Sequence, residues 1–216
     1  MNDAATPDKH RILQEVGGLV SPPHTCTRVH ELLEEDEASA RELADVIAQD
    51  PSLSARLLRL VNSSYFGLAR KADTLTRAVT LVGLQELHNV VVAVAAGETF
   101  RRLRTTTINI DTFWRHSLYT ALLARMLARE AGLPLPERMF VAGLLHDVGI
   151  LVLDHRMPTA YGELLTRAGA DEDRLHALER EHLGLDHAEL AGELLHRWNL
   201  PPVLTGAIRG HHRRDK

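Results

Sequence analysis

The stretch Phe140-Val-Ala-Gly-Leu-Leu-His146-Asp147-Val-Gly-Ile-Leu-Val-Leu153 is strongly apolar and carries one adjacent histidine and aspartate near its centre. Its apolar residues favour burial, whereas burying an imidazole or a carboxylate without partners costs roughly 2–7 kcal/mol per polar group. In a folded core, His146 and Asp147 therefore need hydrogen-bond partners, an ion pair or a metal ion. We expect the rest of the sequence to supply them.

The composition is that of an ordinary globular protein of 216 residues, with 44% hydrophobic and 25% charged residues. A chain of this length can bury a continuous core. The formal net charge of −4 disfavours nucleic-acid binding through bulk positive charge. The single cysteine, Cys26, favours a reducing compartment, and we expect the cytoplasm. The longest apolar run, 90–96, is far shorter than the ~20 residues of a membrane-spanning helix, so we expect no membrane segment.

Apolar residues recur at helical period along nearly the whole chain, and no segment shows the sustained alternation of a half-buried strand. The sequence therefore predicts an all-α fold. Ser39 with Glu42 three residues later matches a capping box. Asn62, at the end of an apolar helix, is expected to tie a turn locally. Further helix N-caps are predicted at three aspartates: Asp50, Asp111 and Asp186.

The segment from Arg104 through Thr107 marks the most plausible internal boundary, because three consecutive β-branched threonines make a poor helix. We predict a disordered lead at 1–8, an N-terminal helical subdomain at 9–104 and a C-terminal helical subdomain at 108–216, together forming one compact domain. In the C-terminal part, prolines 134 and 136 are expected to open the helix that carries the His-Asp pair, with an interruption near Gly149.

Thirteen histidines is a high number for this length, and those that are candidate metal ligands fall on separate predicted helices. Metal centres in helical proteins are assembled from inward-facing histidines and carboxylates of different helices. A mixed nitrogen and oxygen set is compatible with divalent Fe, Mn, Ni, Zn or Mg and does not select among them. Asp147 could bridge two ions, and a metal-activated water attacking phosphorus would be the matching chemistry. The candidate ligands are His116, His146 with Asp147, His187, and His211 with His212.

A structural role is the alternative for each of these histidines, because imidazole pairs readily with a backbone carbonyl. We assign structural or exposed positions to the eight other histidines: His10, His24, His30, His88, His155, His176, His182 and His196.

Nine segments, taken in order and with their spacing, carry a resemblance to a known family. They are Ser21-Pro22-Pro23, Gln49 to Leu58, Val61-Asn62-Ser63, Ala78 to Gly83, Phe113 to Ser117, Phe140 to Leu153, Glu179 to His187, Trp198 to Pro201, and Ile208 with His211-His212. The chain resembles the HDOD proteins, bacterial signalling modules related to the HD phosphohydrolases, over nearly its full length. The resemblance implies an all-helical fold with an HD-like core in the C-terminal half.

Carried across residue by residue, the resemblance implies that all six candidate ligands match metal-ligand positions of the HD-GYP phosphodiesterases. Three departures accompany the match. An acidic ligand is replaced by Thr112, although neighbouring Asp111 could lean in. The lysine of the His-Asp-x-Gly-Lys pattern is Ile150. The last aspartate of the HD set would lie beyond Lys216. In addition to these three departures, the Gly-Tyr-Pro signature is absent.

Two functions remain open. The first is a regulatory or partner-binding module of bacterial signal transduction, with a partial metal site and weak or no turnover, acting through a signalling protein or a nucleotide second messenger. The second is a metal-dependent phosphohydrolase that acts on a nucleotide or cyclic dinucleotide, with Asp147 as its catalytic residue. The incomplete ligand set favours the first.

Overall fold

The computed structural model describes residues 12–14, 24–34, 39–63 and 66–213. These residues form twelve helices of two turns or more and no β-strand, which confirms the all-α prediction. The predicted lead at 1–8 lies outside the described residues. The helices are α1 (His24–Glu34), α2 (Ala40–Ala48), α3 (Pro51–Val61), α4 (Leu75–Val82), α5 (Leu84–Arg101), α6 (Ile110–Glu130), α7 (Glu137–Leu145), α8 (Val148–Arg156), α9 (Pro158–Ala168), α10 (Glu172–Leu183), α11 (His187–Arg197) and α12 (Pro202–Gly210).

Three of the four predicted helix caps are confirmed. Ser39 and Glu42 form the reciprocal capping box of α2, while Asp50 and Asp186 cap α3 and α11. The cap predicted at Asp111 is wrong. Helix α6 begins earlier, because the side chain of Asn109 accepts from the backbone N–H of Thr112 at 2.9 Å. An asparagine in extended backbone caps a helix as well as an aspartate does.

The long helix α5 joins the two halves of the core. It packs on α1, α3 and α4 on one side and on α7 and α8 on the other. The segment after α5 is held by Asp154 of α8, which is fully buried and accepts from the backbone N–H groups of Thr106 at 2.7 Å and Thr107 at 3.3 Å. The division at this segment stays a prediction. Among the described helices, none combines the length and apolar character that crossing a bilayer requires.

Asn62 ties the chain after α3 to the loop that precedes α4. Its Nδ2 donates to the carbonyl of Ala72 at 2.7 Å, and its Oδ1 accepts from the Ala72 N–H at 2.7 Å. Asn62→Ala should lower the free energy of unfolding by about 1–3 kcal/mol, because two partly buried hydrogen bonds are lost. Urea denaturation measures this loss. Asn62→Asp keeps only the acceptor, so its free energy of unfolding should lie between those of the wild type and Asn62→Ala. Neither variant should change the metal content.

Glu86 in the first turn of α5 provides a test of pH dependence. Burial and the neighbouring carboxylate of Glu137 raise the pKa of Glu86 to about 7, against the opposing charges of Arg125 and Arg138. The folded state therefore binds a proton that the unfolded chain releases near its ordinary pKa of 4.5. Stability should fall as pH rises between these two values, and the loss should be complete above pH 7.

Glu86→Gln removes this titration. At pH 8 we expect the variant to be more stable than the wild type by about 1 kcal/mol, a value reduced from the full linkage because the side chain is only half-buried. At pH 5 the advantage should vanish. Urea denaturation at the two pH values measures the difference, and Glu163→Gln, at an exposed glutamate of α9, is the matched control. An equal gain at both pH values would contradict the linkage.

Candidate metal centre

The six candidate ligands come from four places in the fold. The predicted interruption of the His-Asp helix lies at His146 and Asp147 rather than near Gly149, because the backbone of Asp147 leaves the helical region with φ −101° and ψ 5°. The pair thus occupies a break between two buried helices. The other positions are His116 within α6, His187 as the first residue of α11, and His211 with His212 directly after α12.

Asp147 lies at the centre of this group and is 8% exposed. Its Oδ2 is 3.0 Å from Nε2 of His146 and 3.4 Å from Nε2 of His116. Its Oδ1 is 3.4 Å from Nε2 of His187 and 3.5 Å from Nε2 of His211. Each carboxylate oxygen therefore faces a different pair of histidines.

His212 adds a third imidazole to the pair formed by His187 and His211. Its Nε2 lies 2.9 Å from Nε2 of His187, so the two nitrogens point at the same space. Within each of two groups, all ligand atoms lie within 4.8 Å of one another. The first group is His116, His146 and Asp147, and the second is His187, His211 and His212. The fold brings together every ligand candidate taken from the sequence.

The outer nitrogens of two of these imidazoles are hydrogen-bonded to backbone carbonyls away from the centre. Nδ1 of His146 lies 2.8 Å from the Gly143 carbonyl, and Nδ1 of His211 lies 2.7 Å from the Ile208 carbonyl. A carbonyl only accepts, so each Nδ1 carries the proton. Nε2 is thus the nitrogen that each ring turns towards the centre, and with Nδ1 held by a carbonyl it is the atom that would bind a metal ion. The donor set therefore fits a metal ion.

The ring of His187 is oriented by two buried side chains, Glu179 and Tyr161, whose role the sequence interpretation missed. Its Nδ1 lies 2.7 Å from Oε2 of Glu179, which also accepts from the His187 backbone N–H at 3.0 Å. The other oxygen of Glu179 accepts from the hydroxyl of Tyr161, and both side chains are fully buried. The available signal was a carboxylate on the apolar stripe of α10, one turn from both Leu175 and Leu183.

The charges of the centre follow from these contacts. Burial disfavours the ionised carboxylate of Asp147, yet hydrogen bonds from His116, His146, His187 and His211 hold its pKa well below the ordinary value. Burial also opposes a charge on His187, but hydrogen bonds with Asp147 and Glu179 raise its pKa to about 10. A metal ion would displace the proton of His187, so binding should release protons.

His212 stays neutral at physiological pH. Burial together with the nearby His211, His187 and His176 lowers its pKa to about 4. His176, which we assigned a structural or exposed position, lies at the edge of the centre. Its ring centroid is 4.9 Å from that of His212, and its Nε2 is 3.1 Å from Oδ2 of Asp186.

Gly149 permits the close contact between α8 and α11. A Cβ atom at this position would lie 2.1 Å from the carbonyl oxygen of His187. Only glycine lets the helix that follows Asp147 approach the start of α11 so closely. This contact sets the separation between the Asp147 carboxylate and the His187 ring.

At the positions where the sequence departs from the HD pattern, no acidic or basic side chain points into the group of candidate ligands. Thr112 is exposed and lines a cavity of about 410 Å³ beside His116. Asp111 has an 88% exposed side chain that lies 3.9 Å from Arg101, so it does not lean in. Ile150 packs against the hydrophobic core.

Comparison with known proteins supplies the family. Residues 19–214 match the HDOD domain. An uncharacterized protein of Treponema pallidum (strain Nichols) is 29% identical over 202 residues, which are 93% of this chain and 39% of that protein. A crystal structure from Shewanella amazonensis SB2B, provisionally named a phosphohydrolase, has a TM-score of 0.77 and 27% identity, with 94% of this chain and 71% of that chain covered.

A second solved structure has a name that refers to signalling. A Marinobacter aquaeolei VT8 protein, provisionally named a signal transduction protein, has a TM-score of 0.69 and 25% identity, with 94% of this chain and 47% of that chain covered. The chain thus spans less than half the length of this protein and of the Treponema relative. The match extends over nearly all described residues, and the chain belongs to the HDOD domain family.

Proposed function

We propose that this HDOD domain is a signalling module that binds a pair of divalent metal ions and, through them, a phosphorylated nucleotide. One observation carries the proposal: the ionised, buried carboxylate of Asp147 faces four imidazole Nε2 atoms at 3.0–3.5 Å. Without a metal ion the protonated His187 ring offsets this carboxylate, and bound cations would take over that role as the proton is released.

The division of the ligands supports two ions rather than one. The first group offers two nitrogens and one carboxylate oxygen, and the second offers three nitrogens next to the other oxygen of Asp147. Three or four protein ligands per ion leave coordination positions open for a phosphate oxygen. The mixed donors suit divalent Fe, Mn, Ni, Zn or Mg.

A regulatory role accounts for the departures from the HD pattern. Thr112 supplies no acidic ligand next to His116, and Ile150 supplies no cation for a transferred phosphate. A module of this kind would hold its nucleotide as a messenger and pass the signal to a partner protein. The provisional name of the Marinobacter neighbour agrees with such a role.

Phosphohydrolase activity is the second candidate, and the position of Asp147 favours it. A carboxylate whose two oxygens face two separate ligand groups is suited to bridge a pair of ions, and such pairs activate a water for attack on phosphorus. Asp147 would then be the catalytic residue. The provisional name of the Shewanella neighbour agrees with this activity.

Elemental analysis of protein purified without oxygen, followed by a hydrolysis screen, separates the two candidates. About two ions per chain without turnover of cyclic di-GMP or generic phosphodiesters would support the regulatory module. Metal-dependent turnover that disappears in Asp147→Ala would favour the hydrolase. Protein that takes up no metal from a panel of divalent Mn, Fe, Ni and Zn would contradict both.

A further inference from the structure

A basic cavity of about 370 Å³ opens beside the second ligand group. Its wall contains one acidic residue, Asp186, which is buried and fully engaged. One oxygen of Asp186 caps α11 at Glu189 N, 2.7 Å away, while the other lies 3.0 Å from Arg180 and 3.1 Å from His176. The full lining is His176, Arg180, Asp186, Arg209, His212 and Arg213.

Two of the three arginines are held in place by carboxylates of the neighbouring helix. Arg180 is bound by Asp186, and Arg209 donates through Nη2 to Glu193 at 3.1 Å. Each of these contacts leaves most of the five guanidinium N–H donors unused. Nε of Arg209 is buried and has no hydrogen-bond partner among the described residues. The two guanidinium groups are therefore positioned but only partly satisfied.

Arg213 adds a third cation, whose side chain has no partner among the described residues. It is exposed at the rim, and its side chain makes no hydrogen bond or ion pair with the described residues. The cavity wall thus carries three guanidinium groups against one engaged carboxylate, and planar guanidinium donors match the oxygens of phosphate. Glu193, which holds Arg209, and Glu189, which lies 3.8 Å from Arg180, are outside the wall.

We propose that this cavity is a phosphate subsite separate from the metal ions. His212 belongs both to the cavity wall and to the second ligand group, so the subsite adjoins the metal centre. This inference rests on the proposed function. One phosphate of the ligand would contact the metal ions, and another would enter the cavity. The ligand class is therefore a nucleotide that carries at least two phosphate groups.

Two further cavities that described residues form next to the centre do not suit a phosphate. The cavity beside His116 includes the acidic side chains of Asp171 and Glu172, which would repel it. A cavity of about 190 Å³ beside His146 and His211 is lined by apolar residues such as Met139 and contains no arginine or lysine. Of these three cavities among the described residues, the basic one combines a position next to the candidate metal ligands with donors for an anion.

The direct test uses metal-free protein and inorganic phosphate, so that it does not depend on the metal ions. Calorimetric titration of EDTA-treated, dialysed wild type should detect phosphate binding. Arg213→Ala should weaken it about tenfold, because one charge-assisted contact is lost, and Arg213→Glu should weaken it further. Arg213 has no partner in the described fold, so neither variant should unfold. Arg70→Ala, at an exposed arginine between α3 and α4, should leave binding unchanged.

A second titration connects the subsite with the metal centre. In manganese-loaded wild type, pyrophosphate should bind more tightly than phosphate, and Arg213→Glu should remove this preference. Metal-free protein that binds no phosphate, or variants of Arg213 that bind it like the wild type, would overturn the subsite. Phosphate binding that depends on Arg213 in a protein that takes up no metal would overturn the proposed function and keep the subsite.

Discussion

Asp147→Asn is expected to abolish the binding of both metal ions together. The amide replaces one negative oxygen with an N–H donor. The two histidines that face that oxygen then lose the negative charge between them. The remaining neutral oxygen cannot balance the charge of two cations in a site that is only 8% exposed. We expect affinity for each ion to fall more than about 100-fold, beyond the 10–100-fold typical for loss of an outer partner.

Competition with a chelator of known affinity measures both binding steps. The matched control is His196→Ala, which removes an exposed histidine of α11 that belongs to neither ligand group. That variant should bind metal like the wild type. If Asp147→Asn lost one ion and kept the other at wild-type affinity, the two groups would be independent sites, and Asp147 would not be shared between them.

The fold was predictable wherever the signal was local. The capping box of Ser39 and the cap at Asp50 depend on residues three positions apart, so the sequence contains the whole interaction. The cap prediction at Asp111 is wrong because a second capping residue, Asn109, lies two positions earlier and caps the helix instead. Glycine is a poor helix former, so the sequence predicts a break near Gly149. The break lies at His146 and Asp147 instead, and Gly149 serves the contact with His187.

The candidate site was predictable as a set of residues but not as an arrangement. Separate helices carrying histidines, together with the family resemblance, identified all six ligand candidates. Their division into two groups around the two oxygens of Asp147 depends on how α6, α8, α11 and α12 pack, and no local pattern encodes that packing. Metal binding by these residues remains a prediction.

Glu179 was missed because a sequence pattern shows a residue's neighbours along its own helix and not its partners across the core. On α10 it occupies an apolar stripe, where a carboxylate is costly unless it is paired. Its partners, His187 and Tyr161, come from the adjacent helices α11 and α9. A buried carboxylate with two such donors fixes the ring of the candidate ligand His187, and its loss should affect metal binding as well as folding.

Glu179→Gln is the second variant with a large expected effect. The amide keeps the size of the side chain but turns one acceptor into a donor, which then faces either the Tyr161 hydroxyl or the two N–H groups of His187. We expect the metal affinity of the group that contains His187 to fall about 10–100-fold. The free energy of unfolding of the metal-free protein should fall by about 1–3 kcal/mol, because a buried hydrogen-bond network is left incomplete.

Tyr161→Phe separates positioning of the ligand from support of the core. It removes the donor to one oxygen of Glu179 and leaves the contact between the other oxygen and His187 intact. This variant should lose about 1 kcal/mol of stability and keep its metal affinity within a few-fold of the wild type. Urea denaturation and chelator competition, measured on both variants, give the comparison. If Glu179→Gln lost stability while both ions kept wild-type affinity, Glu179 would support the core without orienting His187.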